Sequence, residues 1–161
     1  MMDKKHLELL GNIVSNFNEL ELVIKMQIGQ LLDSKDINKG FIVCNELGFQ
    51  QMLSLWKILF KYQVKDEGAL KEFEIIAGNC SEINLKRNRL IHSRYTDGLG
   101  DLKSIVRIHT KMGKDLMFQP EMVENKELDE FDKYIFKNID AIHTLVEYLD
   151  EKNIFKSYFK K

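Results

Sequence analysis

At 161 residues the chain has the length of one domain and is long enough to bury a core of its own. Hydrophobic residues make up 44% and charged residues 30%, and 24 Lys and Arg nearly balance 25 Asp and Glu. A net charge of −1 excludes an all-over polycation, so any binding of nucleic acid has to come from a local patch.

The first predicted element is an amphipathic helix over residues 3–32, in which Leu7, Leu10, Val14, Phe17, Ile24, Ile28, Leu31 and Leu32 recur at three- and four-residue steps. Polar residues interrupt the apolar ones here, unlike the continuous apolar core of a signal peptide. No run approaches the ~20 apolar residues of a membrane span. A cytoplasmic chain without membrane partners is the expectation.

A turn over 34–40 leads to a second helix over 41–63, carried by Phe41, Val43, Cys44, Leu47, Met52, Leu55, Trp56, Leu59 and Phe60, with Gly48 placed to kink or divide it. After a connector at 64–68, a third helix is predicted over 69–94, with Phe73, Ile76, Cys80, Ile83, Leu90 and Ile91 on its apolar side. TDGLGD then reads as a loop. Two β-like runs follow, SIVRIH at 104–109 and DLMFQ at 115–119, and read as a small hairpin. The last helix covers 125–151 through Leu128, Phe131, Ile135, Ile139, Ile142, Leu145, Val146 and Leu149, and the tail NIFKSYFKK is compatible with its extension. The expected fold is mainly all-α: a single domain over 1–161, an up-down four-helix-type bundle with a β-hairpin (about 102–120) inserted before the last helix.

Cys44 and Cys80 fall within apolar helical patterns and read as buried reduced thiols. No Cys or His spacing suits zinc, and no Gly-rich phosphate loop, GxSxG, HExxH or DxDxDG is present. No cofactor or metal is expected. Trp56 and the methionines read as core, and His6, His109 and His143 as structural.

The informative stretch is LKRNRLIHSRY, residues 85–95. On a helical wheel Arg87 falls in the middle of the stripe formed by Ile76, Cys80, Ile83, Leu90 and Ile91, where a permanent charge is costly unless paired. Glu21 falls likewise inside the stripe of Leu10, Val14, Phe17, Ile24 and Ile28, so a Glu21–Arg87 ion pair is the simplest expectation. Asn88 and His92 are four residues apart on one face, adjacent to Arg87. These types suit phosphoryl chemistry on RNA: His moves a proton near neutrality, Arg grips phosphate oxygens, and Asn can orient a phosphate or an attacking 2′-hydroxyl. Lys86, Arg89 and Arg94 would supply a local positive field for RNA. The bland alternatives are a structural Arg87, a capping or surface His92 at a helix C-terminus, and a merely solvated basic face.

Arg87-Asn88-Arg89-Leu90-Ile91-His92 resembles R-N-x-x-x-H, the motif of the HEPN (higher eukaryotes and prokaryotes nucleotide-binding) superfamily. FNELE before an apolar helix, and a hairpin after the motif, are similar to small bacterial members. The resemblance implies a helical homodimer and metal-independent cleavage of RNA, as a toxin or antiviral (abortive-infection) effector, with an antitoxin or nucleotidyltransferase partner. It makes Arg87, Asn88 and His92 catalytic and Glu21 a supporting acid. Some members use the fold only to bind RNA, nucleotide or protein, and that is the alternative reading.

Overall fold

The computed structural model describes residues 4–33, 35–97, 105–112 and 116–154, with side chains described for 4–33, 35–93 and 122–154. The protein is mainly helical: α1 Lys4–Leu32, α2 Asn38–Cys44, α3 Phe49–Gln63, α4 Glu67–Ile91 and α5 Asn125–Glu151, with strands β1 Arg94–Asp97, β2 Ile105–Met112 and β3 Leu116–Met122 between α4 and α5. Among the described residues no helix is long and apolar enough to cross a membrane. Two compact units share the chain, one formed by residues 1–17 with 85–135, the other by 18–84 with 136–161.

In the second unit the turn after α1 is set by Asp33, whose carboxylate accepts the Lys35 N–H at 2.9 Å and pairs with Lys39. That lysine, first among the causes, holds the Asp33 carboxyl below the usual carboxylate range. α2 then returns along α1 at very close range. A Cβ on Gly40 would lie 1.9 Å from the Lys25 carbonyl oxygen, and one on Gly29 would lie 2.1 Å from that of Ile37. Only glycine allows that approach.

The single helix expected over 41–63 is two helices. Residues 45–48 break it, and Gly48 at β-region angles (φ −68°, ψ 158°) starts α3, its N–H donating to Gln51 Oε1 at 3.0 Å. α3 ends beside the last turn of α1, where Gln63 Nε2 donates to the Leu31 carbonyl at 2.9 Å. A three-residue connector reverses the chain into α4. Across α3 and α4, Phe60 stacks on Phe73 with centroids 3.8 Å apart, and Trp56 meets Phe73 edge-on at 4.8 Å. Along α4 and α5, Asn138 Nδ2 donates to Cys80 Sγ at 3.1 Å, and the Tyr148 hydroxyl lies 3.4 Å from Asp66, which also caps α4 by accepting the Ala69 N–H at 2.8 Å.

In the first unit the opening of α1 lies along the opening of α5. His6 Nδ1 is 3.0 Å from Asn125 Oδ1, and Asn16 Nδ2 donates to Asp132 Oδ1 at 2.7 Å. The sheet also belongs to this unit. Its order is β1-β2-β3, antiparallel throughout, with Tyr95 opposite Arg107 and His109 opposite Gln119. It has three strands where two were expected. The residues Arg94-Tyr95-Thr96-Asp97, predicted as helix end and loop, form β1, since an aromatic and a β-branched residue suit a pleated strand. Residues 98–101 of the expected loop lie outside the described part.

Candidate functional site

The last turns of α4 carry the motif. The buried line of this helix runs through Ile76, Cys80, Ile83 and Leu90, and Arg87 falls on it, partly buried. A guanidinium there needs company. It lies against an aromatic face, with Cζ 4.8 Å from the centre of the Phe17 ring, and its Nη1 donates to Asn88 Oδ1 at 3.0 Å. Its Nε is buried and makes no hydrogen bond among the described residues.

Asn88 therefore sits between the two other motif residues. Its side chain accepts from Arg87, and its backbone carbonyl accepts the His92 N–H at 3.1 Å, continuing the α-helical bond pattern one residue past Ile91. The next hydroxyl, that of Ser93, donates back to the Arg89 carbonyl. This closes the turn with a side chain. His92 is exposed, one helical turn beyond Asn88. Arg87 and Asn88 are thus brought into contact, and His92 is placed on solvent beside them.

The remaining site residues separate. Lys86 turns toward α5, with Nζ 3.7 Å from Glu127 and 4.8 Å above the Phe131 ring, so part of its charge is already neutralised. Arg89 is exposed. Arg94 opens β1 opposite Ile108, and its side chain lies outside the described ones. Glu21 belongs to the other unit and pairs with Lys25 one turn along its own helix at 2.7 Å, at 32% and 24% side-chain exposure.

Where a Glu21–Arg87 pair was expected, each residue has a partner within its own unit: Lys25 for Glu21, and Phe17 and Asn88 for Arg87. The reason is the phase of α1. Its buried apolar line runs through Leu9, Ile13, Phe17, Leu20, Ile24, Ile28 and Leu31, while Leu7 and Leu32 are exposed, which moves Glu21 from the middle of the stripe to its flank. Phe17 as the platform for Arg87 was not anticipated. The signal in the sequence is an arginine on an apolar line, which calls for an aromatic or an acid.

Among the described residues no three His, Cys, Asp or Glu side chains gather as a metal site requires. What the motif offers is a fixed cationic group, an amide oriented by it, and a solvent-facing imidazole. No family model, curated protein or solved structure matches the chain.

Proposed function

We propose that the protein is a metal-independent endoribonuclease of HEPN type, acting as a homodimer in toxin or antiviral defence. The observation that carries the proposal is the Arg87–Asn88 hydrogen bond with an exposed His92 one turn beyond it. In this reading His92 moves the proton, Arg87 contacts the phosphate and its developing charge, and Asn88 orients the reacting group. The 2′-oxygen loses its proton and bonds to phosphorus, and the 5′-oxygen leaves with a proton. Each chain has one histidine in the motif, whereas the reaction uses a base and an acid, so a second copy completes the set. Arg89 and Arg94 supply local positive charge, Lys86 less because Glu127 shares it. Glu21 is the supporting acid of this reading, and it shares its charge with Lys25. The HEPN-type helical bundle with its β insert is part of the same reading.

A second reading, a non-catalytic binding module for RNA, nucleotide or protein, is favoured by one observation. Arg87 is already committed to Phe17 and Asn88, as a structural arginine would be.

The deciding experiment incubates the purified chain with assorted RNAs in EDTA, beside His92→Ala. Cleavage by the parent alone supports the nuclease. RNA retention without cleavage by either protein supports the binding module.

A further inference from the structure

α3 buries Met52, Leu53, Trp56 and Phe60 on one side and carries a different surface on the other. From residue 47 to residue 65 the only charged side chains are Lys57, Lys61 and Lys65, spaced one turn apart with a rise of about 6 Å between neighbours. Beside this row Ile58 and Tyr62, again one turn apart, stand 66% and 75% exposed. At about 100° per residue, these five side chains fall within about 140° of one another on the outward side of the helix. The face belongs to the second unit and takes no part in the chemistry proposed above.

We propose that this face of α3 holds a single strand of RNA, with Tyr62 stacking on a base and Lys57 and Lys65 meeting phosphates. The proposal rests on the reading of RNA as the substrate and adds to it a holding site on a helix other than the motif's.

The first argument is charge. Glu74 of α4 pairs with Lys61, and that lysine, first among the causes, holds the Glu74 carboxyl below the usual carboxylate range. One cation of the three is thereby balanced. Lys57 acts on Glu74 only as a weaker, more distant charge. Asp66, next to Lys65 in sequence, is turned to other donors: its carboxylate accepts the Ala69 N–H at 2.8 Å and lies 3.4 Å from the Tyr148 hydroxyl. Lys57 and Lys65, about 12 Å apart along the helix, therefore keep positive charge for a ligand. A chain of phosphates complements such a row.

The second argument is the ring. Lys65 Nζ stands 5.8 Å from the centre of the Tyr62 ring and donates to the Lys61 carbonyl at 3.3 Å, so ammonium and ring are held together at the end of the row. An exposed aromatic beside cations suits a single strand, whose bases stack on the ring while its backbone follows the charge. A duplex keeps its base faces covered and would leave Tyr62 without a role.

The third argument sets aside an anionic membrane. A helix lying in lipid presents a broad apolar face to it. In α3 the large apolar residues face mainly inward, and only Ile58 and Tyr62 among them are exposed.

Fluorescence anisotropy of a labelled 2′-O-methyl oligouridine, titrated with the full chain, tests the site. This probe has no free 2′-hydroxyl, so the chemistry proposed above cannot cut it, and its binding and the cleavage of RNA in EDTA fail independently. Tyr62→Ala should weaken binding about tenfold, the loss of one stacked base, and Tyr62→Phe should restore it. Lys57→Gln and Lys65→Gln should each flatten the slope of log Kd against log salt by about 0.7, one phosphate contact on a single strand. An abasic oligomer of equal length should bind the parent and Tyr62→Ala alike. No binding by the parent, an unchanged Kd in Tyr62→Ala, a Phe variant as weak as the Ala one, or tighter binding to phosphatidylserine vesicles than to the oligomer would overturn the proposal.

Discussion

The Arg87 guanidinium donates to Asn88 Oδ1 at 3.0 Å while its Nε is buried without a hydrogen bond among the described residues. An arrangement optimised only for stability would not leave a buried N–H unmatched, since such a group costs about 1–3 kcal/mol. Arg87 has a favourable contact as well, its cation–π packing on Phe17, which contributes about 0.5–2 kcal/mol. The two effects are comparable and opposite. Arg87→Met should therefore leave thermal stability within about 1 kcal/mol of the parent, while RNA cleavage is lost. Arg87→Lys should also lose cleavage, because lysine keeps the charge but not the planar fork that holds Asn88. Urea melts of both variants decide the point: a loss above about 3 kcal/mol would make Arg87 a structural residue.

His92 should separate activity from folding more cleanly still. It is exposed, and surface substitutions away from special features stay within about 0.5 kcal/mol. Removing a general acid or base costs ~10²–10⁴ in rate. His92→Ala should thus melt with the parent and cleave RNA at a hundredth of its rate or less. A variant that cleaves normally would end the catalytic assignment.

The long helices were legible because their apolar residues repeat over many turns: α1 was expected at 3–32 and lies at Lys4–Leu32, and α5 at 125–151 lies at Asn125–Glu151. The phase of α1 was not legible. Leu7, Leu9, Leu10, Ile13 and Val14 cover so much of its circumference that two stripes fit, and only packing selects Leu9 and Ile13. Glu21, expected in the middle of the stripe, lies half-buried at its flank and pairs with Lys25. Gly48 was recognised as a dividing point, yet the close return of α2 along α1 depends on Gly29 and Gly40, a contact that no local pattern announces. At the motif, Arg87 was placed correctly on the buried line of α4, and its neighbour on the sequence, Asn88, became its partner. Its aromatic platform came from another helix.

The α1–α2 crossing gives a stability test with its own control. On Gly40 a methyl group would sit 1.9 Å from the Lys25 carbonyl oxygen and 2.5 Å from the Gly29 nitrogen, both backbone atoms that cannot swing away. Gly40→Ala should cost at least the ~1–3 kcal/mol of an overpacked core. Gly78, also helical, has nothing within 4 Å of the same methyl position. Gly78→Ala should stabilise by up to ~1 kcal/mol through helix propensity alone. Opposite shifts in the denaturation midpoint are expected, and equal shifts would show that α2 does not pack on α1 as described.

Cys80 ties burial to a pH dependence. Desolvation, the largest influence, pushes its thiol up from 9.0 to about 12, although Asn138 donates to the sulfur and opposes the rise. Burial raises the Cys44 thiol too. Neither sulfur is a ready nucleophile in the folded chain, so a thiol reagent at pH 8 should find almost no fast-reacting groups, and two after denaturation. In the unfolded chain the Cys80 thiol ionises near its ordinary 9.0, whereas the folded chain keeps that proton until about 12. Between those values the unfolded state binds fewer protons, so stability falls as pH rises. The contribution is present in full below pH 9 and is lost progressively toward 12. Cys80→Ser leaves Asn138 an acceptor but removes the titration. Its stability should therefore decline less steeply than the parent's between pH 8 and 10, measured as denaturation midpoints at each pH. Parallel profiles would mean that Cys80 is accessible to water, and that the α4–α5 contact through Asn138 is looser than the 3.1 Å hydrogen bond implies.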